Sequence, residues 1–300
     1  MKKILFSVLL YVACNSIYGQ ATEKVLLKKN EEAVAKLLES KPNGWVRKGT
    51  FSFLANQATF NNWLAGGQSN VSGNIGVNYD FNYKKDSWNW DNKIIASYGL
   101  TKIKDQEMQK SDDRFIYNSL LGKKISGNWY FSAFLNTITQ FDSGFEKGVK
   151  TSHFFSPAFF QFGPGLLWKK SDNLKLNFAP VTSKLIVVNS KFTQTSSSFG
   201  VEQGKTTRYE MGAAINGYYK FNLATNVNVE NILNLYSNYL DSPQNIDVDY
   251  TLNVTMKINK YLSTNFILQT LFDDNANAAG LDYAKVQTRQ VIGLGVNYGF

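Results

Sequence analysis

Residues 286–300 read VQTRQVIGLGVNYGF. Taken every second residue, one set is Val286, Thr288, Gln290, Ile292, Leu294, Val296, Tyr298 and Phe300. The other is Gln287, Arg289, Val291, Gly293, Gly295, Asn297 and Gly299. Side chains alternate across a strand, so this stretch is a strand with one apolar, aromatic face and one face of small and polar groups. A sheet in a soluble protein covers its apolar face with a second layer. A membrane-spanning barrel turns that face to lipid. The rest of the chain decides between the two.

The same period recurs from Trp45 onward. Val71, Gly73, Ile75, Val77, Tyr79, Phe81 and Tyr83 alternate with Ser72, Asn74, Gly76, Asn78, Asp80, Asn82 and Lys84. Val248, Tyr250, Leu252, Val254 and Met256 alternate with Asp247, Asp249, Thr251, Asn253, Thr255 and Lys257. Tyr209, Met211, Ala213 and Ile215 oppose Arg208, Glu210 and Asn216; Phe131, Ala133 and Leu135 oppose Ser132 and Asn136. These segments reach the roughly 9 to 11 residues that a tilted spanning strand needs. Short links at 85–86, 126–128, 171–173, 223–226 and 259–262 alternate with longer ones at 58–68, 104–111, 143–157, 189–207, 240–245 and 274–284. Short turns on one side and long loops on the other are the pattern of bacterial barrels. Aromatic residues add a third sign. Tyr83, Trp88, Trp90, Trp129, Trp168, Tyr219, Tyr261 and Phe300 cluster at the short-turn ends, and Phe141, Tyr239 and Phe272 near the long-loop ends. The expected fold is all-β: a transmembrane antiparallel up-and-down β-barrel of about 12 strands, an even number as such barrels require.

Composition agrees. Mean hydropathy is −0.27, and the sequence holds no run of roughly 18 apolar residues, the minimum for a spanning helix. A chain that crosses a membrane without such a helix does so as a closed barrel. Aromatic residues make up 15% of the chain and prolines number only 5, which favours strands. The net charge of +9 suits phosphate-bearing lipid surfaces. No basic run or nucleic-acid motif accompanies it, so nucleic acid is not expected as a partner.

Residues 1–19 read as a signal peptide: Lys2 and Lys3, an apolar run over 4–13, and Ser16-Ile17-Tyr18-Gly19 leading to a cut before Gln20. The one cysteine, Cys14, falls inside it, where Tyr11-Val12-Ala13 is a poor lead-in for a lipoprotein site. The exported chain then carries no thiol, which leaves no disulfide and no thiolate metal site. Residues 20–44 form the expected N-terminal periplasmic helical segment. There Leu27, Val34, Leu37 and Leu38 share a face, and Pro42-Asn43-Gly44 ends the helix. It reads as a solvated arm, with a plug or partner-binding helix as the sharper alternative. Residues 45–300 are the barrel.

Two resemblances follow. Gly295, Tyr298 and Phe300, spaced Gly-x-x-Tyr-x-Phe at the end of the last strand, resemble the C-terminal signal read by the bacterial barrel-assembly machinery. Gly44-Trp45, Asn62-Trp63-Leu64-Ala65-Gly66-Gly67, Trp88-x-Trp90-Asp91-Asn92 and the stretch NYLDSPQNIDV at 238–248 resemble a Bacteroidetes outer-membrane β-barrel family known only as a domain of unknown function, DUF 3078. That resemblance implies export and a barrel in the cell outer membrane. It brings no substrate, catalytic residue or cofactor.

Candidate sites come from the inward faces and the loops. Asp91, Lys93, Arg208, Glu210, Asp247, Asp249, Lys257 and Arg289 are expected in the lumen. With both signs present they read as a network between neighbouring strands rather than the one-sign lining of a selective pore. Asn62, Trp63, Gly66 and Gly67 form a candidate loop gate, with an ordinary interfacial loop as the plainer reading. His153 beside Ser152 invites comparison with Ser/His lipid hydrolases, but no third group orients the imidazole. Asp273-Asp274-Asn275 and Asp112-Asp113 are oxygen-rich but lack the spacing of a calcium loop. Asp247 and Asp249 are explained by the lumen. No catalytic residue, metal or cofactor is expected. Pro164 and Pro180 fall inside expected strands, where bulges would accommodate them. Two functions follow: a small-solute channel or transporter, or a non-conducting barrel that anchors an envelope complex. The partners expected are outer-membrane lipids, the barrel-assembly machinery and an envelope protein.

Overall fold

The computed structural model describes residues 43–59, 68–146, 148–273 and 286–300. The expected signal peptide, the expected helical segment up to residue 42 and the loop-gate residues Asn62, Trp63, Gly66 and Gly67 lie outside them, and Gly44, expected to end that segment, opens β1. The strands are β1 (Gly44–Ala58), β2 (Asn70–Lys85), β3 (Trp88–Ile103), β4 (Gln109–Ser126), β5 (Trp129–Thr139), β6 (Gly144–Glu146), β7 (Val149–Ser152), β8 (Ala158–Ser171), β9 (Leu174–Val187), β10 (Thr207–Ala224), β11 (Val227–Asn238), β12 (Asp247–Lys257), β13 (Leu262–Phe272) and β14 (Gln287–Gly299). Twelve of them close into a barrel in which each strand pairs with its chain neighbours and β14 returns to β1. All of these pairings are antiparallel. The other two, β6 and β7, form a hairpin inside the link from β5 to β8, which the periodicity did not reveal. Among the described residues no helix is long and apolar enough to cross a membrane.

Register fixes which side chains share a face, because directly opposed residues point the same way. Phe53 lies opposite Ile75 and Val296, and Ile75 lies opposite Tyr98. Followed around the ring, this set takes in Phe115, Phe131, Phe160, Phe162, Met211, Leu235, Val248 and Ile292. It is the outer face, on which Phe131 and Ile292 stand more than half exposed. The inner face carries Asp91, Asn177, Lys184, Glu210 and Glu230, all buried. Apolar outside and charged inside is the reverse of a water-soluble protein. On β14 the split matches the alternation of residues 286–300.

Barrel strands run from 11 residues in β5 to 18 in β4. The short turns all fall at one end and the long links at the other. Trp45, Trp88, Trp129, Tyr219, Tyr261, Tyr298 and Phe300 form an exposed aromatic ring at the short-turn end. The closing seam pairs β1 with β14 from Thr50 opposite Gly299 to Ala55 opposite Leu294. It is locked by two bonds beyond that run: Gly49 N donates to Phe300 O (2.7 Å) and Phe300 N to Gly49 O (3.0 Å).

The two prolines sit where the ladder breaks. Between β9 and β10 the register shifts from Gly212↔Thr182 to Ala214↔Ala179, a bulge that takes in Pro180. Across β8 and β9 it shifts between Phe162 and Leu166, around Pro164. Gly163 and Gly165 let β8 approach closely here, since a Cβ on either would overlap the Val181 or Phe178 carbonyl of β9.

Candidate functional site

The inward side chains form three levels. At the short-turn level, Asp91 on β3 accepts two bonds from Lys169 Nζ of β8 (2.9 and 2.8 Å) and one from Lys175 Nζ of β9 (2.8 Å). Lys93, next along the same face of β3, pairs with Asp80 of β2 (3.4 Å) and with Glu230 of β11 (3.0 Å). Tyr218 and Asn253 also donate to Glu230 (2.7 and 2.9 Å). Five strands separate β3 from β11 in either direction round the ring. The Lys93–Glu230 pair therefore joins opposite walls straight across the lumen.

The middle level is apolar and amide-rich. Phe134, Ala179, Ala214 and Tyr236 pack together with Leu120 against them. A relay of amides runs along the wall: Ser132 Oγ donates to Asn177, Asn177 to Asn216, and Asn216 to Asn234 (2.6, 3.1 and 3.2 Å). Asparagine carries both a donor and an acceptor, so it can continue such a chain head to tail. The cavity between Ile95, Ile116, Ile138, Ile232 and Thr251 has a volume of about 10 Å³. That is space for about one water.

At the long-loop level, Lys184 of β9 meets Asp247 (2.9 Å), Asp273 (3.1 Å) and Glu210 (3.4 Å). Arg208 reaches Glu210 (2.8 Å). Arg289 on β14 pairs with Asp112 on β4, and Asn74 donates to the same carboxylate (2.7 Å). Arg114 and Asp249 are bridged by Gln269.

Of the lumen charges expected from sequence, Asp91, Lys93, Arg208, Glu210, Asp247, Asp249 and Arg289 thus face inward in these clusters. Lys257 shares that face but lies exposed at the short-turn rim. The expected network linked neighbouring strands; Lys93–Asp80 and Lys184–Glu210 do so, Asp91–Lys169, Lys184–Asp247 and Arg289–Asp112 skip two or three strands, and Lys93–Glu230 crosses the lumen. Lys169, Lys175 and Lys184 were missed. The β9 bulge changes the side on which odd and even residues fall, which hides Lys184 from a period-2 reading.

The other candidates take ordinary places. His153 Nδ1 lies 2.6 Å from Phe154 O, its ring packs edge-on against Phe192, and Ser152 is buried. Asp113 accepts bonds from Lys110 and from the Phe141 and Asp142 amides. Asp274 and Asn275 lie outside the described residues. Among the described residues no cluster of three or more His, Cys, Asp or Glu side chains could hold a metal. On the outer face, Tyr298 and Phe300 stack at 6.4 Å, and Phe300 stacks on Tyr79 at 6.0 Å. Gly295 faces inward against β1, where a Cβ would overlap the Phe53 carbonyl.

No curated protein matches the sequence. Among solved structures, the translocator domain of autotransporter NalP from Neisseria meningitidis is 9% identical, with 94% of this chain and 98% of that chain covered and a TM-score of 0.34. The COG4313 outer membrane channel from Pseudomonas putida F1 is 9% identical, with 87% and 96% covered and a TM-score of 0.37. The outer membrane channel DcaP of Acinetobacter baumannii is 11% identical, with 86% and 96% covered and a TM-score of 0.29. The family resemblance noted from sequence is matched over part of its expected span, which includes Trp88 to Asn92 but neither Trp45 nor residues 238–248. Residues 55–145, from the end of β1 into β6, match the model of the family described as a protein of unknown function, DUF3078.

Proposed function

We propose that this chain is an outer-membrane β-barrel with a closed, non-conducting interior, serving as a membrane-embedded anchor or structural subunit of an envelope complex. The observation that carries this reading is the Lys93–Glu230 ion pair across the lumen, framed by the Asp91–Lys169–Lys175 and Lys184 clusters at either end. A channel along this axis would need these paired charges to part inside the barrel, and a buried charge without its partner is costly. The exposed apolar wall supports residence in a bilayer. The same reading assigns residues 1–19 to export, Gly295, Tyr298 and Phe300 to recognition by the assembly machinery, and an envelope protein as partner. The small-solute channel is the alternative, and the residues at 62–67 would be its gate. Liposome swelling separates the two. Vesicles carrying the folded protein should shrink and stay shrunken in arabinose, as protein-free vesicles do; sugar-dependent re-swelling would favour the channel.

A further inference from the structure

We infer that the link from β5 to β8 folds outward over the barrel rim, and that its apolar hairpin occupies the lipid of the adjoining leaflet. The inference rests on the membrane-spanning reading above. The direction of this link is set by what its base holds. Asp142 accepts a bond from the hydroxyl of Tyr98 (2.8 Å) and, through its carbonyl, from Lys110 (2.9 Å). The Phe141 ring meets Phe115, and the Phe155 ring meets Phe160, each at 5.8 Å. Tyr98, Phe115 and Phe160 all belong to the outward set by register. A loop closing over the lumen would instead pack on inward residues, as the next link does where Val188 and Val201 cover Ile186; the β5–β8 link touches that cap through His153 on Phe192 and Ser156 on Asn189, while residues 141–142 and Phe155 are held on the outer side.

Beyond this base, Phe145 and Val149 on the β6–β7 hairpin are each 66% exposed, and Phe154 is 60% exposed. Exposed apolar groups at this density mark a contact surface. Phe154 continues the apolar outer wall through ring contacts with Phe155 and, through it, Phe160, each at 5.8 Å, and Phe145 and Val149 lie on the hairpin of the same link. That continuity selects lipid as the occupant. Lys150 on the same hairpin is exposed, a cation free to meet lipid phosphate.

The test is a single bimane label at Phe145→Cys in a Cys14→Ser background, with the protein reconstituted alone in phosphatidylcholine vesicles. Ile292→Cys on the outer wall and Lys205→Cys on an exposed loop serve as references. Bromine-tailed phosphatidylcholine should quench the Phe145 site about as strongly as the Ile292 site, and aqueous iodide should quench it several-fold less than the Lys205 site. Val149→Cys repeats the reading if labelling at 145 perturbs the hairpin. An Ile292 site quenched by lipid with a Phe145 site quenched like Lys205 overturns this inference alone, and points to a protein partner for the hairpin. An Ile292 site quenched only by iodide overturns the membrane reading together with it.

Discussion

Lys93 and Glu230 join opposite walls of the barrel through a single ion pair. Glu230 is buried and Lys93 nearly so, each has further partners, and they meet at 3.0 Å from opposite walls. Removing one member leaves the other charge without its cross-lumen partner, a loss of about 3–5 kcal/mol if it stays buried. A double-mutant cycle with Lys93→Met and Glu230→Gln, read by urea unfolding in detergent, should return a coupling of about 0.5–3 kcal/mol, as for residues in contact. Additive effects would mean that the two walls do not touch. At this scale the sequence was informative about side and silent about partner. Period 2 placed Asp91, Lys93, Glu210 and Asp247 on the inner face. It could not show that Lys93 reaches across to β11, because the distance across a barrel depends on how the ring closes.

Among the elements, the strands and the alternation of short and long links were legible because each spanning strand exceeds a soluble strand in length and repeats its pattern. The β8–β9 pair was legible only as a disturbance. Pro164 and Pro180 announced broken ladders, but the shift of parity that buries Lys184 follows from where the bulge falls. The β6–β7 hairpin was hidden because three- and four-residue strands are too short to show a period. The β1–β14 seam makes a specific prediction. Gly49 leaves room for Phe300, and a Cβ there would overlap the aromatic ring. Gly49→Val should push the exposed Phe300 ring off β1 and lower the stability of the folded barrel. Gly73→Ala, whose Cβ would meet only Phe53 at an ordinary 3.8 Å, should be close to neutral. The midpoint temperature at which the compact gel band converts to the denatured one reads both variants.

Across the whole molecule, an apolar outer wall surrounds an interior in which side chains from opposing strands meet. Both halves are tested together along β14, whose alternation first suggested the fold. Spin labels placed singly at Gln290, Ile292 and Leu294 on the outer set, and at Arg289 and Val291 on the inner set, would be scanned in vesicles for access to oxygen and to a water-soluble nickel chelate. The outer sites should be open to oxygen and closed to nickel, and the inner sites closed to nickel as well. Inner sites freely reached by nickel would mean a water-filled pore, and outer sites with no access to lipid-borne oxygen would mean that the wall does not face a membrane at all.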